Sequence, residues 1–269
     1  MNKTEKVAIV ACSNGLAEKQ KVKIEQLVEK LMGINMIPIL SKYIYAKESV
    51  FNGTGEERAA SLMNFYQDPE ITKIFDVSGG DLANEILPFL DFEIIKESNK
   101  QFWGYSDLTT IINAIYAKTG KASVLYQIRN LTNFDELFEF KYKFLQGQEM
   151  RGILIGGNIR CLLKLAGTEY WPDMHGKILL LEAMSGNVPK MVTALNQLKQ
   201  MGVFERIEGI LLGTFTEMEA EGYQPTIEEL VKRYVGSNMP IAKTYEIGHG
   251  IDSKAVEIGK EIYLYGGIR

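Results

Sequence analysis

Phe102-Trp103-Gly104-Tyr105-Ser106-Asp107-Leu108-Thr109-Thr110 changes its period in the middle. Residues 100–105 carry Phe, Trp and Tyr, which suit a pleated, half-buried surface. From Asp107 onward the apolar residues fall at Leu108, Ile111, Ile112 and Ile115, the spacing of a helix face. Ser106 therefore sits where a buried strand turns into a helix. Unbonded backbone N–H groups point out of a helix N-terminus, and its dipole favours negative charge there. A serine so placed exposes its hydroxyl at the sheet edge, and the N–H of Asp107 can face an oxyanion formed beside it. That is the logic of a nucleophile elbow. Gly104 supplies the first glycine of G-x-S-x-G, while Leu108 stands at the second. A plain helix cap is the competing reading, because serine is a favoured N-cap.

Outward from this stretch the first half alternates strand and helix. Residues 6–11 form a short continuous apolar run, as expected of a strand covered on both faces. The polar turn Cys12-Ser13-Asn14-Gly15 follows. A helix comes next with Val22, Ile24, Leu27, Val28 and Leu31 inward, then a strand over 36–40. Residues 56–66 read as a helix with Ala59, Leu62, Met63 and Tyr66 on one face. A strand over 73–77 ends at Ser78-Gly79-Gly80-Asp81, and a further helix runs towards Leu87. The Ser106 strand and helix follow, and 122–126 closes the series. Such alternation predicts a mostly parallel sheet with helices on both faces, whose ligands gather at the carboxyl ends of the strands. The paired glycines let backbone approach a ligand and expose successive N–H groups, or simply make a tight turn. They form no nucleotide loop, since neither G-x-G-x-x-G nor G-x-x-x-x-G-K-[ST] occurs.

Composition narrows the function. In 269 residues, 46% hydrophobic and 24% charged, the pattern is that of a globular chain with one large or two modest domains. A net charge of −4 and a pI near 5.5 argue against nucleic-acid binding. No apolar run approaches the ~20 residues of a membrane span. The run at 7–11 is too short for a signal-peptide core. Cys12 and Cys161 make neither a disulfide framework nor a metal spacing, which fits a reducing cytoplasm.

The second half is less regular. Residues 133–140 read as an acidic-aromatic helix, 152–155 as a strand followed by Gly156-Gly157-Asn158, and 159–165 as a helix. Domains are expected at 1–150 and 173–269, with a crossover at 151–172. The strand at 176–182 ends abruptly in Glu182. An amphipathic helix with Val192, Leu195, Leu198 and Met201 follows, then strands at 207–213 and 241–247 around a helix at 226–234. Two short strands, near 255–258 and 261–265, finish the chain. Of the two histidines, His175 lies in a polar connector, whereas His249 stands between Gly248 and Gly250 at a strand end. Ser, Glu and His, all at predicted strand ends, have the residue types of a serine triad, which is recognised by roles rather than by order.

Together these pieces resemble the LD-carboxypeptidase family of serine peptidases, which includes the microcin C immunity peptidases. The resemblance rests on Ser78-Gly79-Gly80-Asp81 with Leu87-Pro88-Phe89-Leu90-Asp91, on Gly104-Tyr105-Ser106-Asp107, and on Gly156-Gly157-Asn158 with Gly167-Thr168. It continues through residues 176–182, Gly213-Thr214-Phe215-Thr216 and Gly248-His249-Gly250. It implies an α/β fold with an N-terminal parallel-sheet domain carrying the nucleophile, a smaller C-terminal α/β domain, and an active site in the cleft between them. It further implies Ser106 as nucleophile, His249 as base and acid, Glu182 as orienting carboxylate, and the N–H groups of Gly80 and Asp107 as oxyanion donors. Substrate contacts are expected at Gly79, Tyr105, Trp171 and Thr214. Arg160 and Lys164 are weighed as carboxylate readers against a solvated helix face. No cofactor or metal is expected. The partners implied are a small peptide or muropeptide and a second copy in a homodimer, with no nucleic acid and no membrane. The implied reaction removes D-alanine from a murein tetrapeptide; a peptidyl-nucleotide antibiotic is the alternative substrate, and ligand binding without hydrolysis the remote one. Ala183-Met184-Ser185 departs from an acidic residue expected after the glutamate, which bears on substrate preference.

Overall fold

The computed structural model describes residues 4–266. The chain forms two compact units, one ending at Phe134 and the other starting at Asp135. In the first, β1 (Glu5–Val10), β2 (Met36–Leu40), β3 (Ile71–Asp76), β4 (Gln101–Gly104) and β5 (Ser123–Leu125) lie in the order β5-β4-β3-β1-β2. Every pairing among them is parallel. Strand order reverses between β1 and β3, so the loops after these two strands flank the crevice where such sheets bind ligands. Val7, Ala8, Ile9, Ile74 and Phe75 are wholly buried, because helices cover both faces.

Helices α1 (Lys21–Gly33), α2 (Gly55–Gln67), α3 (Phe92–Glu97) and α4 (Thr109–Thr119) connect the strands. Thr54 and Glu57 cap α2 reciprocally, satisfying two N–H groups that helix geometry leaves unbonded. Its buried face holds Ala59, Leu62, Met63 and Tyr66 as the spacing predicts, and also Arg58. Val22, expected inward on α1, is 59% exposed. The helix expected after Asp81 is a 3-10 segment, Ala83–Phe89, which contains Pro88; proline has no N–H to donate and disfavours a regular helix interior.

In the second unit, β6 (Lys143–Gln146), β7 (Glu149–Asn158), β8 (Lys177–Ala183), β9 (Gly209–Phe215), β10 (Ile241–Lys243) and β12 (Glu261–Tyr265) form a sheet in the order β12-β7-β8-β9-β10-β6; β11 is Val256–Ile258. Its central strands β7 to β10 are parallel, and both edges are antiparallel. Helices α5 (Ile159–Leu163), α6 (Val188–Gln200), α7 (Thr216–Ala220) and α8 (Ile227–Tyr234) complete it. The stretch 151–172, read from sequence as a crossover, includes most of β7 and all of α5.

The acidic-aromatic helix expected at 133–140 is absent; those residues form turns. Glu136 has φ +56°, which no right-handed helix accommodates. The carbonyls of Glu136 and Leu137 instead accept from Lys254 Nζ and from the backbone of Ala255, both at 2.9 Å. Distant partners thus displace the local helical bonds. The strand expected over 241–247 stops at Lys243, and Thr244 turns the chain by accepting from the N–H of Glu246. No described helix is long and apolar enough to cross a membrane.

Candidate active site

β4 delivers the serine. Tyr105 is still extended, Ser106 has φ +54°, and a 3-10 turn, Ser106–Leu108, runs into α4. A positive φ on a non-glycine residue is strained and clusters at functional sites. Gly104 permits the sharp turn: a Cβ there would lie 2.6 Å from Leu108 Cβ. Leu108, the departure from the second glycine of the motif, is the residue packed onto that bare backbone, and it is fully buried.

The loops after β1 and β3 close around this turn. A Cβ built on Gly79 would sit 3.9 Å from Ser106 Cβ, so the paired glycines lie beside the serine. Gly80 has φ +124° and is covered by the Asn14 side chain, 2.2 Å from where its Cβ would be. The Asn14 N–H donates to the Gly79 carbonyl (3.2 Å), and Asn14 Oδ1 accepts from the Asp81 N–H (3.0 Å). Gly80 is therefore required by its surroundings, whereas Gly79 has room for a side chain.

Three buried side chains hold these loops: Asp76 and Arg58, which the sequence reading missed, and Asp107, which it placed only through its backbone N–H. Asp107 Oδ2 accepts from Ser13 Oγ (2.6 Å) and from the Ala83 N–H (2.9 Å), joining the elbow to both neighbouring loops. Asp76, at the end of β3, accepts from the N–H groups of Cys12 and Ser78 (both 2.7 Å) and from Ser78 Oγ (2.5 Å). Burial pushes the Asp76 carboxyl above its ordinary range although these donors favour its charged form. Burial, and then the Asp76 charge, push the Cys12 thiol up as well. Arg58 donates to the carbonyls of Cys12 (2.5 Å), Ser13 (3.2 Å) and Leu82 (3.3 Å), and pairs with Glu85. The only sequence signal for Arg58 is a charge beside the apolar stripe of α2.

The second unit brings Glu182 and His249 together: His249 Nδ1 lies 2.7 Å from Glu182 Oε2. Two glycines make room for this approach. A Cβ on Gly213 would lie 3.0 Å from Glu182 Cβ, and one on Gly248, whose φ is +141°, would lie 1.9 Å from Thr214 Oγ1. The Glu182 side chain is 1% exposed and that of His249 7%. An ionised carboxylate only accepts, so with Glu182 ionised this hydrogen bond uses the Nδ1 proton of the imidazole. Lys243, also missed from sequence, is fully buried; its Nζ donates to the Gly213 carbonyl (2.8 Å) and to Glu219 (2.5 Å), fixing the end of β9 beside Thr214. Among the described residues, Glu182 Oε1 and Thr214 Oγ1 are buried without a hydrogen-bond partner.

The other expected residues are placed as follows. Tyr105 is 9% exposed and offers a ligand little surface. Trp171 is half-buried in the connector before β8, Thr214 is half-buried, and His175 is exposed. No group of three or more described His, Cys, Asp or Glu side chains is placed to hold a metal ion.

Two family models match the chain: the LD-carboxypeptidase N-terminal domain over residues 7–126 and the LD-carboxypeptidase C-terminal domain over residues 151–264. The chain belongs to the LD-carboxypeptidase family. It is 27% identical to a probable murein peptide carboxypeptidase of Bacillus subtilis, across 96% of this chain and 88% of the relative. It is 26% identical to the microcin C7 self-immunity protein MccF of Escherichia coli, across 79% and 76% of the two chains. The structure of MccF in complex with aspartyl sulfamoyl adenosine superposes with a TM-score of 0.87 at 20% identity, covering 99% of this chain and 94% of that one. These LD-carboxypeptidase matches account for the two α/β units with parallel-rich sheets, and membership makes the chain a peptidase.

Proposed function

We propose that this protein is a serine LD-carboxypeptidase that removes the terminal D-alanine from a murein tetrapeptide, with Ser106 as nucleophile, His249 as base and Glu182 as its orienting group. The observation that carries the reading is the buried Glu182–His249 pair at 2.7 Å. A carboxylate holding Nδ1 of an imidazole is the base half of a serine hydrolase. The strained Ser106 at its elbow supplies the matching nucleophile.

In this mechanism Nε2 of His249 takes the Ser106 proton as Oγ attacks the scissile carbonyl. The N–H groups of Asp107 and Gly80 stabilise the tetrahedral oxyanion, and loss of one such donor costs about 10²–10³ in rate. Glu182 stabilises the imidazolium, which then protonates the departing D-alanine amine. Water hydrolyses the acyl-enzyme by the reverse proton path. The two buried, unbridged cysteines suit action in a reducing cytoplasm. A homodimer is part of the proposal, and light scattering of the purified protein tests it.

The second reading is hydrolysis of a peptidyl- or aminoacyl-nucleotide antibiotic. The likeness to MccF across most of both chains favours it. Trp171 is the residue offered for stacking on the base. Mass spectrometry of a murein tetrapeptide incubated with wild type and with Ser106→Ala tests the first reading. Loss of one alanine with wild type alone is the expected result; equal loss with both proteins refutes Ser106 as nucleophile. An intact tetrapeptide with cleavage of an aminoacyl nucleotide selects the second substrate.

A further inference from the structure

The β8–β9 ladder changes register beside Glu182. Leu181 pairs with Leu212, but Ala183 pairs with Phe215, so the single residue Glu182 faces two residues of β9, Gly213 and Thr214. Such a bulge is rare between parallel strands; bulges bend a strand and re-aim side chains next to active sites. This one touches Glu182 on one side and the segment leading to His249 on the other. A Cβ on Gly213 would lie 3.0 Å from Glu182 Cβ and 2.5 Å from the Ile247 carbonyl oxygen, so only bare backbone fits. The Thr214 N–H donates to that same carbonyl (2.8 Å), two residues before His249.

A bulge takes backbone groups out of the ladder, and a buried N–H or C=O must then find another partner. β10 ends at Lys243, opposite Leu212, and gives no strand partner beyond it. Two side chains take over. Lys243 Nζ donates to the Gly213 carbonyl (2.8 Å), and Glu219 Oε1 accepts from the Phe215 N–H (3.1 Å). The ammonium and the carboxylate are bonded to each other at 2.5 Å. The pair therefore spans the bulge, holding the residue before Thr214 and the residue after it. Glu228 Oε1 lies 3.6 Å from the same ammonium, and the Tyr245 and Phe215 rings lie 4.8 and 5.7 Å from it. A buried ion pair gains little stability over apolar residues of the same volume, so its presence asks for another role, and fixing register is the best-attested one.

We infer that Lys243 and Glu219 are positioning residues of the active site: their ion pair holds the bulge that sets Glu182 and the His249 segment at bonding distance. The effect on catalysis rests on the peptidase reading; the effect on the Glu182–His249 bond does not.

The test reads the imidazole directly. The chain has only two histidines, so nitrogen-15 NMR of the histidine-labelled full chain at alkaline pH shows which ring nitrogen of each carries the proton. His249→Gln assigns the remaining signals to His175. Wild type should show one His249 tautomer, protonated at Nδ1. Lys243→Met and Glu219→Ala should each turn it into a mixture of tautomers, because the bulge loses its hold on one side. Glu219→Gln keeps an acceptor oxygen for the Phe215 N–H and should stay near wild type. A pair that stabilises by charge alone would make Gln as damaging to thermal stability as Ala and leave the tautomer untouched in both. If Lys243→Met folds poorly, Glu219→Ala decides, since Glu228 still compensates the ammonium there. An unchanged tautomer in the Met and Ala variants, or a Gln variant equal to Ala, overturns the proposal. A wild type without the Nδ1 tautomer refutes the Glu182–His249 bond and the proposal with it.

Kinetics then test the consequence on whichever of the two substrates the wild type cleaves. In Lys243→Met and Glu219→Ala, kcat should fall at least about tenfold with KM unchanged, since a misplacement of about 1 Å caused by a remote residue can cost about 10²-fold. Glu219→Gln should keep most of the activity. Displaced tautomers with an unchanged kcat overturn the catalytic part of the proposal. A wild type that cleaves neither substrate refutes the peptidase reading, and the NMR comparison still decides whether the ion pair holds the bulge.

Discussion

Ser106→Gly, compared with Ser106→Ala, tests whether the serine is held at a strained backbone conformation. Both variants lack the hydroxyl, so its contacts cancel and the backbone term remains. At φ +54° a residue with a Cβ costs about 1–2 kcal/mol, and glycine is relieved of that cost. Against this, glycine loses more chain entropy on folding, about 0.4–1 kcal/mol. The variant also forfeits one half-buried methyl, about 0.4 kcal/mol from a burial value of about 0.8 per carbon. The terms sum to a gain of about 0.4 kcal/mol for glycine over alanine. At an ordinary φ the first term vanishes, and glycine becomes about 1 kcal/mol less stable. The sign of the difference decides. Urea denaturation of the two proteins, with equal m-values as a check on cooperativity, measures it. Ser106→Gly unfolding at clearly lower urea than Ser106→Ala would refute strain at the elbow.

Three further outcomes are expected. Glu182→Gln should lower kcat about 10⁴-fold with a small change in KM, because an amide no longer enforces the productive imidazole tautomer; steady-state kinetics showing less than a tenfold loss would remove Glu182 from the mechanism. Asp107→Ala should destabilise the protein by about 3 kcal/mol, since the buried Ala83 N–H and Ser13 hydroxyl lose their acceptor. Asp107→Asn, which keeps an acceptor oxygen, should recover much of that in the same denaturation assay; equal losses in both would contradict the hydrogen-bond account. Because burial raises the Asp76 carboxyl, the native chain keeps its proton to higher pH than the unfolded chain. That contribution to stability is fully present below the ordinary carboxylate range, is lost as pH rises through the raised value, and is level above it. Asp76→Asn should flatten this part of the pH–stability curve, and parallel curves for the two proteins would rule out Asp76 as the titrating group.

The alternation of β1 to β5 with their helices is legible in the sequence because it rests on local period. A run such as 6–11 reports burial on both faces, and the 2-to-3.6 switch at Ser106 reports a strand turning into a helix. The elbow, the glycines at 79–80 and the position of Glu182 at the end of β8 follow from the same local signals together with the resemblance to LD-carboxypeptidases, whereas β10 stops at Lys243, well before His249. Partners remote in the chain belong to the tertiary structure alone. Asp107 accepts from Ser13, 94 residues earlier, and Glu182 meets His249 across 67 residues. The apolar spacing of 133–140 favours a helix, yet Glu136 and Leu137 give their carbonyls to Lys254 and Ala255. Arg58 and Lys243 read as surface charges because burial of an ion depends on acceptors that only folding assembles. Periodicity is a property of neighbours along the chain and survives in the sequence; the hydrogen bonds that satisfy a buried charge, bend a turn or set an imidazole tautomer come from segments whose meeting the sheet order alone decides.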